Sequence, residues 1–156
     1  MMGYEVYRAD SSRGTYRLIA TATASSLTDE SLSAGKTYYY KVRAFDETDG
    51  SRIYGGYSAY KYAKPVPAAP TGLTAASSQG GVALDWNDVP GAAMYEVYRA
   101  TSKSGSYTKI ATTADSQTLS TGLSAGRTYY YKVRAYTLSG KDKIYSSYSS
   151  IVSGKK

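Results

Sequence analysis

The amino-acid sequence predicts an all-β protein, an antiparallel β-sandwich repeated about 1.7 times along the chain. Tyrosine, which favours strands, supplies 19 of the 156 residues. Short stretches of alternating apolar and polar residues lie between turn-forming Gly, Ser, Thr and Asp, and no stretch has helical periodicity. Residues 4–64 also align without a gap with residues 95–155, and 30 of the 61 pairs are identical.

The repeat is clearest in two segments. The stretch YEVYRA at residues 4–9 returns at 95–100, and TYYYKVRA at residues 37–44 returns at 128–135. Residues 65–94 have no counterpart in the first copy. The sequence therefore predicts one complete module and one that begins partway through the repeat.

Alternation in the second copy indicates its strands. In GGVALDW, the apolar residues Val82, Leu84 and Trp86 are separated by single residues, as in a half-buried strand. The strand in TYYYKVRA has an apolar face formed by Tyr129, Tyr131, Val133 and Ala135. Turn residues separate such strands every 8–12 residues or so, which is typical of a sandwich.

The run APTGLTAASSQGGVALDWNDVPGAAMYEVYRA, followed by GLSAGRTYYYKVRAY, resembles a fibronectin type III module, which is an immunoglobulin-like sandwich. The tryptophan of the second strand, the YxV third strand and the L-x-x-G-x-x-Y approach to the sixth match that family. The resemblance implies that Tyr129 is the tyrosine-corner residue and Tyr38 its counterpart. It is strongest to modules of large secreted or surface proteins of Gram-positive bacteria, which implies an extracellular or cell-surface location.

The family layout implies strands A (71–77), B (81–87), C (94–100), C′ (107–112), E (116–121), F (128–137) and G (144–152). It divides the chain into a repeat with strands C to G (1–63), a proline-rich linker (64–70) and a complete domain (71–153). Strand E is ambiguous, because Leu119 lies one residue later than Leu27 in the aligned copies. Either strand E contains a bulge, or Thr118 points inward and Leu119 is exposed.

The first copy lacks equivalents of Leu73, Val82, Leu84 and Trp86, each of which stabilises a core by roughly 1.5–3 kcal/mol when buried. We therefore expect an apolar self-association face in that copy, formed by Tyr4, Val6, Leu32, Tyr38, Tyr40 and Val42. Two explanations remain open: a piece of a longer array whose face another molecule covers, or an open sandwich that accepts strands from a neighbour. Dimerisation through this face is compatible with both explanations.

The composition excludes several functions. Without Cys or His, the chain cannot form a Cys/His zinc site or a nucleophile–histidine pair, so we predict no enzyme and no cofactor. The sequence contains no run of 18 apolar residues, so we predict no membrane span. The net charge of +7 is scattered, which favours a solvated surface over a nucleic-acid footprint.

Two acidic groups are candidate sites. Residues 46–50 (DETDG) could bind Ca²⁺, but they lack EF-hand spacing, and a polar hairpin loop is favoured. Asp85 and Asp88 flank Trp86 and could suggest a glycosidase carboxylate pair, but a solvated strand end is favoured.

A candidate binding surface follows from the outward-facing residues of strands C and F. It comprises Tyr7, Tyr39, Lys41, Arg43, Tyr98, Tyr130, Lys132 and Arg134. These side chains could stack on sugar rings or grip a protein, although cross-strand pairing with Glu5 and Glu96 is the favoured explanation.

The sequence as a whole predicts a non-catalytic structural spacer and protein-interaction module of an extracellular or cell-surface protein. Two alternatives remain: a self-assembling, strand-accepting filament or surface-layer subunit, and a carbohydrate-binding module that uses the outward tyrosines.

Overall fold

A computed structural model describes all 156 residues and contains strands without helices. No helix is present that has the length and hydropathy to cross a membrane. The chain forms two compact units, unit 1 (Met1–Pro65) and unit 2 (Val66–Lys156). Every strand pair is antiparallel, which confirms the predicted fold class.

Unit 1 contains a single sheet. Its strands are β1 (Met2–Ala9), β2 (Arg17–Ala22), β3 (Tyr38–Thr48), β4 (Ser51–Tyr54) and β5 (Lys61–Ala63). They are ordered β2-β1-β3-β4, and β5 also pairs with β3. The long strand β3, which is rich in Tyr, Val and Ala, lies in the middle of this sheet. It pairs with β1 along the whole of β1 and also pairs with β4 and β5.

Unit 2 contains two sheets. Its strands are β6 (Thr74–Ser78), β7 (Gly81–Asp85), β8 (Met94–Ala100), β9 (Thr108–Thr113), β10 (Gln117–Ser120), β11 (Thr128–Ser139), β12 (Asp142–Tyr145) and β13 (Val152–Lys155). One sheet is β12-β11-β8-β9 with β13 paired to β11, and the other is β10-β7-β6. The buried cluster between them includes Val82, Leu84, Trp86, Tyr95, Val97, Tyr131 and Val133.

The two tyrosine corners are present. The phenolic oxygen of Tyr129 accepts a hydrogen bond from the Ser124 N–H at 3.0 Å, and that of Tyr38 accepts one from the Ser33 N–H at 3.0 Å. Both rings are buried. Each bond ties the approach loop to the start of the long strand, as the family resemblance implied.

The last strand of unit 2 differs from the predicted span 144–152. It is divided into β12 and β13, and residues 146–151 form no strand. The hydroxyls of Ser146 and Ser149 accept hydrogen bonds from the N–H groups of Ala135 and Val133, each at 2.9 Å. Side-chain oxygens therefore replace part of the ladder, a substitution available to serine in place of a backbone partner.

Strand β10 resolves the ambiguity about strand E. Leu119 is 44% exposed, Ser120 is buried and Thr118 lies opposite Leu84 on β7. The strand is therefore regular at this point, and Leu119 faces solvent. The alternative with a bulge is wrong.

The corresponding residues of unit 1, 25–30, form no strand, contrary to the expectation of strands C to G in that copy. In unit 2 the pairing partner of β10 is β7, and unit 1 has no strand equivalent to β7. An isolated extended segment without a ladder partner has no hydrogen bonds to hold it as a strand.

Candidate functional site

The outer face of each unit is organised around a buried glutamate. In unit 2, Glu96 on β8 is almost completely buried although it lies on the polar side of the strand. Its carboxylate accepts hydrogen bonds from Arg134 Nη2 at 2.7 Å and from the Tyr98 hydroxyl at 2.8 Å. Lys109 and Lys143 lie within 3.4 Å and 3.7 Å of the other carboxylate oxygen.

Tyrosine rings enclose the arginine of this cluster. The Arg134 guanidinium lies 3.7 Å from the ring centre of Tyr145 and 5.3 Å from that of Tyr148. Both tyrosines follow the turn after β11, so the chain folds back over its own strand. Burial beneath these rings explains why the Glu96 carboxylate has so little contact with solvent.

Unit 1 repeats this arrangement. Glu5 accepts hydrogen bonds from Arg43 Nη2 at 2.7 Å and from the Tyr7 hydroxyl at 2.6 Å. The Arg43 guanidinium lies 3.7 Å from the ring centre of Tyr54 and 5.0 Å from that of Tyr57. Four residues of the candidate binding surface (Tyr7, Arg43, Tyr98 and Arg134) therefore make hydrogen bonds to a glutamate of their own unit.

These contacts shift the pKa values of both carboxylates. Burial alone raises the pKa of Glu96, but hydrogen bonds from Arg134 and Tyr98 and the positive charge of Arg134 outweigh it and lower the pKa to about 2. The pKa of Glu5 is lowered chiefly by the hydrogen bond from Tyr7, against the effect of burial and with help from Arg43. Both glutamates are anions at neutral pH.

Among the remaining candidate residues of the outer face, the lysines contact tyrosine rings in both units, whereas the tyrosines have different surroundings. Lys41 lies 4.4 Å from the ring centre of Tyr16, and Lys132 lies 4.0 Å from that of Tyr148. Tyr39 packs against Tyr60 and Tyr62, each with ring centres 5.8 Å apart. Its counterpart Tyr130 has no such cluster, because the positions of Tyr60 and Tyr62 are Ile151 and Ser153 in unit 2.

Sequence reasoning missed Tyr16, Tyr60 and Tyr62. Tyr60 and Tyr62 are 47% and 69% exposed, so unit 1 alone has an exposed tyrosine cluster on this face. The signal was the stretch YSAYKY, in which Tyr60 and Tyr62 alternate just as residues of a strand do.

The inner face of unit 1 is an open apolar groove of about 620 Å³. Of the predicted self-association residues, Tyr4, Val6, Leu32, Tyr40 and Val42 line it. Tyr38 does not, because its ring is buried with its hydroxyl bonded to Ser33, and inclusion of Tyr38 in the exposed face was wrong. Leu27, Asp29 and Ala63, which were not among the predicted self-association residues, also line the groove.

Asp29 anchors one wall of this groove. Its carboxylate accepts two hydrogen bonds from Arg8 Nη1, at 3.0 and 2.9 Å, and one from the Tyr40 hydroxyl at 2.8 Å. Burial and the bond to Asp29 together raise the pKa of Tyr40 to about 12. The segment of residues 23–32 is thereby attached to the sheet although it belongs to no strand.

The two acidic candidates occupy turn and surface positions. Glu47 pairs with Arg52 at 2.8 Å across the β3–β4 hairpin, and Asp49 and Gly50 form its turn. Asp85 and Asp88 are both exposed on the protein surface. No group of three or more acidic side chains is close enough to hold a metal ion.

The chain matches parts of two curated bacterial enzymes. It is 32% identical over 149 residues to Exoglucanase B of Cellulomonas fimi, a match that covers 88% of this chain and 13% of that enzyme. It is 46% identical over 69 residues to poly(3-hydroxybutyrate) depolymerase of Ralstonia pickettii, covering 44% of this chain and 13% of that enzyme. The matched region thus spans only a small part of either relative.

Among solved structures, an Fn3-like protein from Clostridium thermocellum is similar to this chain. The two are 37% identical, the match covers 57% of this chain and 92% of that one, and the TM-score is 0.50. No protein-family model matches the chain.

Unit 2 has two paired sheets, a buried tryptophan directly after β7 and a tyrosine corner at the start of β11. These features define an immunoglobulin-like sandwich module. The similarity to the Fn3-like protein identifies the family within this class of sandwich modules. The chain belongs to the fibronectin type III family.

Proposed function

We propose that this chain is a non-catalytic spacer and interaction segment of an extracellular bacterial protein. The observation that carries the proposal is its similarity to a small part, 13%, of each of two much longer enzymes. A region that is shared by an exoglucanase and by a poly(3-hydroxybutyrate) depolymerase is not tied to either reaction. A separable accessory module accounts for its occurrence in both.

The use of side chains within the fold supports this role. The two shortest ion pairs, Glu5 with Arg43 and Glu96 with Arg134, each at 2.7 Å, are covered by tyrosine rings. A catalytic carboxylate needs access to substrate, whereas these two serve to attach the strands of one sheet to each other. The sequence supplies no histidine or cysteine as an alternative base or nucleophile.

The extracellular location rests on the relatives. Both of their names describe enzymes of polymer breakdown, and a polymer too large to enter a cell is degraded outside it. An accessory module of such an enzyme works in the same place. The resemblance of the repeat to modules of bacterial surface proteins agrees with this location.

A fusion experiment tests the spacer role. The full chain is placed between a glucanase catalytic domain and a cellulose-binding domain, and a Gly/Ser linker of equal length serves as the control. A folded spacer is expected to preserve hydrolysis of insoluble cellulose under protease treatment that cleaves the Gly/Ser linker. Equal cleavage of both fusions, or product release by the chain alone, would contradict the proposal.

Self-assembly is a second candidate function, and the open groove of unit 1 favours it. Association of two such faces would remove Val6, Tyr40 and Val42 from water. Sedimentation at rising concentration measures it: a dimer or polymer that Val42→Asp dissociates is the expected result. A monomer at all concentrations would exclude this candidate while leaving the spacer role intact.

Glycan binding is favoured by a different observation, the exposed cluster of Tyr39, Tyr60 and Tyr62 in unit 1. Tyrosine faces stack on sugar rings through their apolar C–H groups. Adsorption to insoluble cellulose that Tyr62→Ala weakens and Tyr130→Ala leaves unchanged is the expected result. Equal adsorption of both variants would show that the cluster is not involved.

A further inference from the structure

We propose that the outer face of unit 1 binds a polysaccharide whose sugars carry carboxylate groups. Tyrosine rings hold the sugars, and Lys41 holds a carboxylate. This inference rests on the glycan-binding candidate above and names the class of glycan. The site lies on the side of the sheet opposite the groove, because Tyr39 and Lys41 alternate along β3 with Tyr40, which lines the groove.

Four tyrosines form one cluster on this face. The ring of Tyr39 is at its centre, with ring-centre distances of 5.8 Å to both Tyr60 and Tyr62. Tyr16 completes the cluster from the other side of the sheet. Burial raises the pKa of Tyr16, and the nearby phenols of Tyr60 and Tyr39 raise it further. The four-tyrosine cluster (Tyr16, Tyr39, Tyr60 and Tyr62) is therefore one continuous aromatic surface.

The inclination of the rings favours a single polymer chain as the ligand. The ring planes of Tyr60 and Tyr62 are inclined to that of Tyr39 by 66° and 42°. Rings set at such angles cannot all lie flat against a planar solid, whereas successive sugars of a soluble chain can each contact one ring. The apolar C–H faces of the sugars supply the contact with the tyrosines.

Lys41 supplies a positive charge beside the cluster. Its Nζ lies 4.4 Å from the ring centre of Tyr16, and it forms no ion pair within the chain. The three acidic residues in the strands of this sheet are already paired: Glu5 with Arg43, Asp46 with the amino group of Met1, and Glu47 with Arg52. A lysine among aromatic rings, without a carboxylate of its own, is complementary to a negative charge on the ligand.

Unit 2 does not have this site, although it has the lysine. Lys132 lies between two rings, 4.5 Å from the ring centre of Tyr107 and 4.0 Å from that of Tyr148. The positions of Tyr60 and Tyr62 are occupied by Ile151 and Ser153, so the aromatic surface is shorter. Equivalent substitutions in unit 2 are therefore matched controls.

A pair of soluble polymers tests the charge preference. The full chain is titrated in a calorimeter with polygalacturonate and with the same polymer after methyl esterification of its carboxylates. The acidic polymer is expected to bind about two- to fivefold more tightly, the range of a partly exposed ion pair. Lys41→Gln should remove most of this difference, and Lys132→Gln should preserve it.

A second pair of variants tests the stacking surface. Tyr62→Ala should weaken binding of both polymers by about three- to tenfold, and Tyr130→Ala should leave it unchanged. Polyglutamate, a polyanion without sugar rings, measures general attraction to the net charge of +7 and should bind more weakly and independently of Tyr62. Hydrogen exchange in β3 verifies that each unit 1 variant keeps its sheet.

The outcomes separate this inference from the glycan-binding candidate. Equal binding of the acid and the ester, weakened for both by Tyr62→Ala, overturns the acidic class and leaves glycan binding intact. Absence of binding to either polymer overturns both and leaves the spacer role. Polyglutamate binding as tight as that of polygalacturonate, or a charge preference that Lys41→Gln leaves unchanged, also overturns the inference, because either result shows attraction to the net charge alone.

Discussion

The buried carboxylate of Glu96 is expected to control the acid stability of unit 2. It is 1% exposed and accepts hydrogen bonds from two nitrogens of Arg134, at 3.0 and 2.7 Å. Glu96→Gln removes the negative charge and leaves Arg134 beneath its tyrosine rings without an anionic partner. Breaking a buried ion pair by removal of one member typically costs about 3–5 kcal/mol.

The pKa of Glu96 gives an independent magnitude. It falls from an ordinary 4.5 to about 2 in the folded protein. Each pKa unit corresponds to about 1.4 kcal/mol, so the folded state is favoured by roughly 3 kcal/mol when the group is ionised in both states. Because the folded pKa is the lower one, this stability is present above pH 4.5 and is lost as the pH falls from 4.5 toward 2.

Trp86 provides the assay, since it is the single tryptophan and is buried in unit 2. Urea unfolding of the native chain, followed by its fluorescence, should lose about 3 kcal/mol between about pH 6 and about pH 2. Glu96→Gln should be less stable by a similar amount near neutral pH and nearly independent of pH in that window. Asp85→Asn, which changes an exposed carboxylate, is the control and should follow the native curve.

The reasoning would be refuted if Glu96→Gln kept the native pH dependence, or if it lost less than about 1 kcal/mol at neutral pH. The first result would assign acid sensitivity to other carboxylates. The second would mean that the desolvation of Glu96 cancels its attraction to Arg134, which is a known outcome for buried ion pairs.

Three further predictions concern local geometry. Ser31 has a positive φ of 57° where unit 2 has Gly122, so Ser31→Gly should stabilise unit 1 by about 0.5–1 kcal/mol, measured by hydrogen exchange in β3. Ser149→Ala leaves the buried Val133 N–H without its hydroxyl acceptor and should destabilise unit 2 by about 1–3 kcal/mol in urea unfolding, whereas exposed Ser150→Ala should have no effect. Tyr129→Phe removes the acceptor of the Ser124 N–H and should cost about 1 kcal/mol in the same assay; no change would mean that water replaces the phenol.

Sequence periodicity was sufficient for the strands whose two faces differ. The alternation of Tyr129, Tyr131, Val133 and Ala135 placed all four in the core of unit 2, where the structure has them. Periodicity failed where a side-chain oxygen replaces a backbone carbonyl as the acceptor of a strand's hydrogen bonds. Nothing in the spacing of residues 144–152 indicates that Ser146 and Ser149 would accept the hydrogen bonds of β11.

The candidate surfaces were predicted less completely, for a related reason. Tyr7 and Arg43 were assigned to the correct face, but their enclosure depends on Tyr54 and Tyr57, which come from the far side of the β3–β4 turn. Alternation reports which side of a strand a residue faces. It does not report which later segment folds over that side.

The repeated block of 61 residues therefore builds its two faces in different ways. The outer face is formed from within the block, because the segment after the long strand folds back over Glu5 and Arg43 in unit 1 and over Glu96 and Arg134 in unit 2. The inner face depends on a second sheet, which unit 2 has and unit 1 lacks. Identical side chains thus have different environments: Tyr131 is fully buried, and Tyr40 lines an open groove. Glu5→Gln weakens the outer cluster and should therefore destabilise the sheet of unit 1, measured by hydrogen exchange in β3, while the apolar side chains that line the groove stay the same.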